Sequence, residues 1–262
     1  MTTDFGMDDA YVATMKGVIL GINPRVTIVD ICHTIKPQNI AQAAFVLSTT
    51  YHYFPEGTIH VVVVDPGVGT ERTAVLLITP LAFFLAPDNG VLSYIIEETP
   101  AEDLQAIALS NPHFWLFPVS ATFHGRDIFA PVAAHLSLGT PPQDFGDHID
   151  TLFTFPMPRP KMGEDAVLIG HILHIDRFGN LITDIRREDL PKGNLFIDVA
   201  GHFIEGLSPS YAEGEEMLAI IGSSGRLEIS LKNGNAAALL RAKVDDEVSI
   251  TTLSLRRQKK LE

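Results

Sequence analysis

The stretch Ile59–Val64, IHVVVV, is β-branched at every position except His60, and it runs straight into Asp65-Pro66-Gly67-Val68-Gly69. A strand with no polar–apolar alternation is covered on both faces, as in α/β proteins whose helices flank a sheet. Pro66 has no N–H to add to a ladder, so the strand must end there. Gly67 and Gly69 permit backbone conformations and close approaches that a Cβ would forbid. The result is a carboxylate, Asp65, delivered to the carboxyl edge of a sheet, where α/β folds place their ligands. Arg72 follows seven residues later.

The flanking sequence fits that reading. Val12, Met15, Ile19 and Ile22 recur at helical spacing before Asn23-Pro24, and VTIVDI (Val26–Ile31) reads as a strand. A helix is expected over 41–51, strands at AVLLIT and AFFLAP up to the turn PDNG, a short helix through Ile96, and a helix from Arg126 to Leu138 closed by Gly139. Residues 1–150 therefore predict an α/β domain with a largely parallel sheet. The texture changes across FTFPMPRPKMGED, which reads as a linker over 151–165. Beyond it, VLIGHILHI, NLITDI, NLFIDV, RLEISL and EVSITTL are short strands between glycine-bearing turns. They predict a smaller all-β, barrel-like domain over 166–262. The tail RRQKKLE reads as a solvated end. With 46% apolar residues in 262, the chain can bury a core in each part.

Composition narrows the function classes. A net charge of −13 repels phosphate backbones and anionic lipid, which argues against nucleic acid or membrane as partners. The lone Cys32 excludes an intramolecular disulfide and any multi-cysteine metal site, and suits a reducing cytoplasm. No apolar run reaches transmembrane length. The ten histidines show no paired ligand spacing, so no metal is expected.

Several positions invite a chemical reading, each with a plainer alternative. Asp65 either serves a pocket or caps an ordinary turn, and Arg72 either joins it or is a surface arginine. Asp4 in TTDFGMDDAYV could accept ribose hydroxyls or cap the following helix, a role for which Asp8 and Asp9 are better placed. His124 in ATFHGRDIFAP could move a proton near neutral pH. Asp176, Phe178 and Asn180 surround Gly179 in HIDRFGNLITDI, either as a heterocycle-binding turn or as a hairpin. Ser223, Ser224 and Asn235 sit near glycines and alone indicate turns. There is no dinucleotide fingerprint, P-loop or nucleophile elbow.

Taken together and in order, these segments resemble the S-adenosyl-L-methionine hydrolases (hydroxide adenosyltransferases), relatives of the fluorinase and chlorinase. The resemblance spans nearly the whole chain: TDFG..DAYV...KG, NP.V.IVDICH.I, FPEGTIHVVVVDPGVGTER, APDNGVLS, FHGRDIFAP, IDRFGNLITDI and GSSGRLEIS...GNAA. It implies an α/β domain followed by a β-barrel, and a homotrimer with each site between one subunit's first domain and its neighbour's second. It implies that Asp65, Arg72 and His124 surround an attacking water, and that Asp4 holds the ribose hydroxyls. Asp176, Phe178 and Asn180 would contact methionine and ribose, with Tyr211 and Ser223 as further substrate contacts, and Asn235 and Ala236 would bind adenine. The implied substrate is a small molecule, S-adenosyl-L-methionine, hydrolysed without a cofactor to adenosine and L-methionine. Two departures accompany the resemblance. Arg177 alone separates Asp176 from Phe178, where the halogenases carry two residues, and only Met1-Thr2-Thr3 precede Asp4, so the first strand is expected to be cut short. Halogenases place an uncharged side chain at the position of Asp65 and carry a long insertion where this chain has only Pro80 and Leu81. The readings set against hydrolysis are a halogenase, a non-catalytic adenosine-binding protein, and a metal-dependent phosphoesterase built on Asp65 and His124.

Overall fold

The structure, a computed structural model, describes residues 1–252. It divides into two compact units, Met1–Pro156 and the chain from Met157 onward.

In the first unit, five strands form one sheet: β1 (Thr2–Thr3), β2 (Thr58–Val63), β3 (Ala74–Ile78), β4 (Ala82–Pro87) and β5 (Gln105–Ala108), in the order β1-β2-β4-β3-β5. β1 and β4 run parallel to β2, with Thr2 opposite Val62 and Ile59 opposite Phe83. β3 is antiparallel to both β4 and β5, so it alone runs against the rest. The helices are α1 (Tyr11–Ile22), α2 (Ile40–Ser48), α3 (Ser93–Glu98) and α4 (Ala130–Ser137). The period of two in β2 sends Val61 and Val63 into one core with Met15, Ile19, Phe129 and Val132. Val62 and Val64 enter a second core with Leu47, Phe84 and Ile95. All four valines are at most 3% exposed. Each contributes roughly 1.5–3 kcal/mol of burial, so the uninterrupted valine run is what a sheet covered on both faces requires.

VTIVDI is not a strand. The segment is irregular but lies beside β1, where Ile31 N–H donates to Met1 O and Thr3 N–H to Cys32 O, and a single bridge forms at Thr2 and Cys32. Two residues of β1 give it no edge for a longer ladder. A largely apolar cavity of about 320 Å3 is lined by Ile28 and Val29 of the segment and by Ile59 and Val61 of β2, among others.

In the second unit, β7 (Leu168–Ile175), β8 (Leu181–Arg186), β9 (Leu195–Val199), β10 (His202–Glu205), β11 (Met217–Ile221), β12 (Arg226–Leu231) and β13 (Glu247–Thr252) form an antiparallel sheet in the order β10-β9-β13-β7-β8-β12-β11. The short β6 (Lys161–Met162) pairs with β7. The end strands β10 and β11 approach each other, so the sheet is a nearly closed barrel. Ile172, Leu181, Ile185, Ile197, Leu227, Ile229, Val248 and Ile250 fill it. A short helix, α5 (Ala236–Leu240), is capped by Asn235, whose side chain accepts from Ala238 N–H. The tail RRQKKLE lies outside the described residues. Among the described residues no helix is long and apolar enough to cross a membrane.

Candidate active site

Each unit carries a cavity, and the candidate residues divide between them. In the first, Asp65 follows β2 directly. Asn89 Nδ2, from the turn after β4, donates to Val64 O at 2.9 Å and holds that strand end. The loop then folds back: Arg72 Nε donates to Asp65 Oδ1 at 2.9 Å and to Oδ2 at 3.0 Å, and Arg72 Nη2 donates to Oδ2 as well. The two side chains are 5% and 10% exposed. Asp65 is thus an ion-paired, largely buried carboxylate and not a turn cap, and Arg72 is not a surface arginine.

The same Nη2 lies 2.8 Å from His124 Nδ1. A guanidinium only donates, so Nδ1 accepts and the neutral imidazole carries its proton on Nε2. Burial, and then the Arg72 guanidinium, push the His124 pKa below its ordinary value, against the pull of Asp65 and Asp127. Gly69 makes this approach of two loops possible. Its φ is +76°, and a Cβ there would stand 2.2 Å from Ala121 O. Any other residue would push the Arg72 loop away from the segment that carries His124.

His124 sits at the head of a single π-helical segment, Gly125–Phe129, that leads into α4; such segments recur at functional sites. Asp127 in that segment is fully buried. Its carboxylate accepts from Ser120 N–H at 2.8 Å and from Arg126 Nε and Nη2 at 2.6 and 3.0 Å. It fastens the loop before His124 to the helix. Sequence reasoning passed over Asp127 although it stands three residues from His124 in the same motif.

Asp4, Asp65 and His124 line one cavity of about 380 Å3 with Phe5, Tyr11, Gln38 and Phe123. Arg72 is absent from its wall and lies behind the two groups it holds. Asp4 does not cap α1, whose N-cap Ala10 makes no side-chain bond; its Oδ2 accepts from Gln38 N–H at 2.7 Å. Phe5, Tyr11 and Phe123 meet edge-on or tilted at 5.2–5.8 Å between centroids and form an aromatic wall. Their scatter along the sequence hid that wall.

In the second unit, Asp176, Phe178, Asn180, Tyr211, Ser223 and Asn235 line a cavity of about 890 Å3. Asp176 builds the turn itself: Oδ1 accepts from Phe178 N–H and Asn180 N–H, and Oδ2 from Asn180 Nδ2, each at 2.9 Å. Phe178 is left 74% exposed. Gly179, at φ +86°, presses on Asn235, whose side-chain atoms lie 2.1–2.4 Å from where a Cβ would be. Ala236, the first residue of α5, is buried and does not line the cavity. Glu228, which sequence reasoning also missed, does line it. Tyr211 donates to Glu228 Oε1, and burial and Glu228 push the phenol up to about 12. Among the described residues no three histidine, cysteine or carboxylate side chains cluster as a metal site.

Two domain profiles bear on this arrangement. The SAM hydroxide adenosyltransferase N-terminal domain matches residues 1–146, and the corresponding C-terminal domain matches residues 170–249. The chain belongs to the S-adenosyl-L-methionine hydroxide adenosyltransferase family. A protein of Thermus thermophilus named (R)-S-adenosyl-L-methionine hydrolase is 37% identical over 92% of this chain and 94% of its own length. A fluorinase of Nocardia brasiliensis is 31% identical over 90% of each, so hydroxide adenosyltransferases and fluorinases both lie within reach of this chain. The crystal structure of an uncharacterized conserved protein from Thermotoga maritima superimposes with a TM-score of 0.88 at 34% identity, covering 95% of this chain and 98% of its own.

Proposed function

We propose that the protein hydrolyses S-adenosyl-L-methionine to adenosine and L-methionine, water attacking the ribose C5′. The observation that carries this reading is the Asp65–Arg72–His124 cluster. The sulfonium leaves as a neutral thioether, so the enzyme has only to orient water in line with C5′ and receive a proton; orientation of this kind is worth up to about 7–11 kcal/mol. Asp65 Oδ1 accepts a single bond from Arg72 Nε, which leaves it a lone pair for the water's proton. His124 Nδ1 is engaged by Arg72 and its Nε2 carries the proton, so the ring donates to the water and Asp65 is the base. Asp4 takes the ribose hydroxyls, and the second unit's Phe178, Asn180, Tyr211, Ser223 and Asn235 take the nucleoside and amino acid. Asp176 supports that surface by shaping its turn. We further propose a homotrimer in which one subunit's first unit works with its neighbour's second, as the family resemblance implies. No cofactor enters the step, and we place the enzyme in the cytoplasm.

The fluorinase relatives make halogenation the second reading. A halide must shed water to attack, and a desolvated anion is repelled by a carboxylate in a low-dielectric pocket. Water instead gains an acceptor there. The connection Thr79–Leu81 between β3 and β4 is a tight turn, closed by Thr79 N–H to Ala82 O at 3.0 Å.

Purified protein incubated with S-adenosyl-L-methionine should release adenosine and methionine in equal amounts, unaffected by EDTA. Because the Thermus relative's name specifies the (R) form, the (R) sulfonium epimer should be the faster substrate. Failure of both epimers to yield adenosine contradicts the proposal.

The His124 assignment predicts a pH profile. Protonation at Nδ1 would set an imidazolium against the Arg72 guanidinium, and the folded pKa lies below the ordinary 6.5. kcat/KM should therefore hold level as pH falls to about 6.5 and drop only below it. A rate that instead fell as pH rose through the His124 titration would show that His124 works as the charged form.

A further inference from the structure

On the reading that Asp4 takes the ribose hydroxyls, we propose that His33 is the positioning residue for Asp4, acting through the hydroxyl of Thr3. Asp4 leaves a strand of only two residues, β1, whose pairing with β2 ends at Thr3 opposite Val63. So short a ladder leaves the direction of the next turn to other contacts. His33 supplies them from the opposite side of β1. Its carbonyl accepts from Gly6 N–H at 2.8 Å, and the adjacent Cys32 O accepts from Thr3 N–H at 2.9 Å. Its ring Nδ1 lies 2.9 Å from Thr3 Oγ1, which in turn accepts from Phe5 N–H at 3.3 Å. One residue thus holds Thr3-Asp4-Phe5-Gly6 on both sides of Asp4.

The ring is oriented from behind. Nε2 lies 2.9 Å from Asp30 Oδ1, with the ring N–H turned off the straight line to that oxygen. Lys16 Nζ donates to Asp30 Oδ2. Burial alone would raise the Asp30 pKa, but His33 and Lys16 outweigh it and hold the carboxyl below its ordinary value. An ionised carboxylate only accepts, so the ring proton belongs on Nε2 and Nδ1 accepts from the Thr3 hydroxyl. That hydroxyl keeps its lone pairs for Phe5 N–H. His33 is 4% exposed, Thr3 is fully buried, and neither lines the cavity of Asp4. His33 therefore bears on a ligand there through Asp4, in the way that groups behind a site hold the groups that touch the ligand. The same segment reaches Asp4 again five residues later, where Gln38 N–H donates to Oδ2 at 2.7 Å.

A buried histidine that only holds the fold would affect all ligands alike. The test therefore compares adenosine with 2′,3′-dideoxyadenosine, which lacks the hydroxyls that Asp4 takes, by calorimetric Kd. Wild-type protein should prefer adenosine. His33→Ala should cut that preference roughly 10-fold, the worth of one charge-assisted hydrogen bond, with the dideoxyadenosine Kd held within about twofold. Asp4→Asn should cut the same preference, and adding His33→Ala to it should change the preference by less than about twofold, because the two act as one unit. Thr3→Val removes the hydroxyl in a side chain of similar shape and should reproduce the effect even where His33→Ala folds poorly; Thr3→Ser should restore the wild-type preference. An unchanged preference in Thr3→Val, or both nucleosides weakened in parallel, overturns the inference, the second outcome making His33 a purely structural support. A wild-type protein that binds the two nucleosides equally would instead overturn the reading of Asp4 beneath it.

Discussion

Asp65→Asn loses hydrolysis of S-adenosyl-L-methionine by a factor of about 10^2–10^4, the usual worth of a positioned general base, while adenosine still binds. The side chain keeps its shape and can still accept from Arg72, so the loop that carries Arg72 should stay in place. It can no longer take a proton. The neutral amide also leaves the Arg72 guanidinium, 10% exposed, without its counter-charge, so some loss of stability accompanies the loss of rate. Steady-state kinetics and adenosine calorimetry on the same preparation separate the two: kcat collapses, and the adenosine Kd stays within a few-fold. Near-normal turnover would remove Asp65 from the reaction. Loss of adenosine binding would make it a contact for the nucleoside.

Mixing Asp65→Asn chains with Phe178→Ala chains should restore activity that neither possesses alone. Suppose each site joins one subunit's first unit to its neighbour's second. In trimers reassembled at random from equal amounts, a site is intact when a chain with native Asp65 meets one with native Phe178. Each condition holds half the time, so about a quarter of the sites recover. The experiment refolds or co-expresses the two variants and reads adenosine formation against the unmixed controls. Recovery near a quarter supports shared sites; no recovery indicates that each chain completes its own.

Much of the fold could be read from local chemistry. β2, β3, β4, β7, β8, β9, β12 and β13 coincide with apolar or β-branched runs bounded by turn residues, and the coverage of β2 on both faces follows from the four-valine run Val61–Val64. β5, β10 and β11 escaped because each is four or five residues long and none is a β-branched run, so pairing partners and not propensity make them strands. VTIVDI shows the converse: its residues favour an extended backbone, but a ladder needs an edge, and β1 offers two residues. The mixed direction of the sheet was equally hidden, since β3 and β4 are joined by a turn that only the three-dimensional pairing reveals as a hairpin.

The candidate site was legible as a set of separate loci. That Asp65 stands at a strand end could be read from Pro66 and Gly67. That Arg72 reaches His124, fifty-two residues away, could not, because it depends on Gly69 admitting the close approach of Ala121 O. Asp176 illustrates the limit from the other side. The motif marks it as polar and near glycine, but only the structure shows both oxygens engaged by its own turn. Glu228 was signalled by alternation in RLEISL, where a carboxylate falls on the face away from the core; its burial required Tyr211 to cover it.

The central claim is that water, held at Asp65, forms a bond to the ribose C5′. The measurement that meets it most directly is a turnover of S-adenosyl-L-methionine in oxygen-18 water containing molar chloride, with the products resolved by mass spectrometry. The account predicts adenosine carrying the heavy isotope at its 5′ oxygen, unlabelled methionine, and no 5′-chloro-5′-deoxyadenosine. Unlabelled adenosine, a major chlorinated product, or methylthioadenosine with labelled homoserine would contradict it.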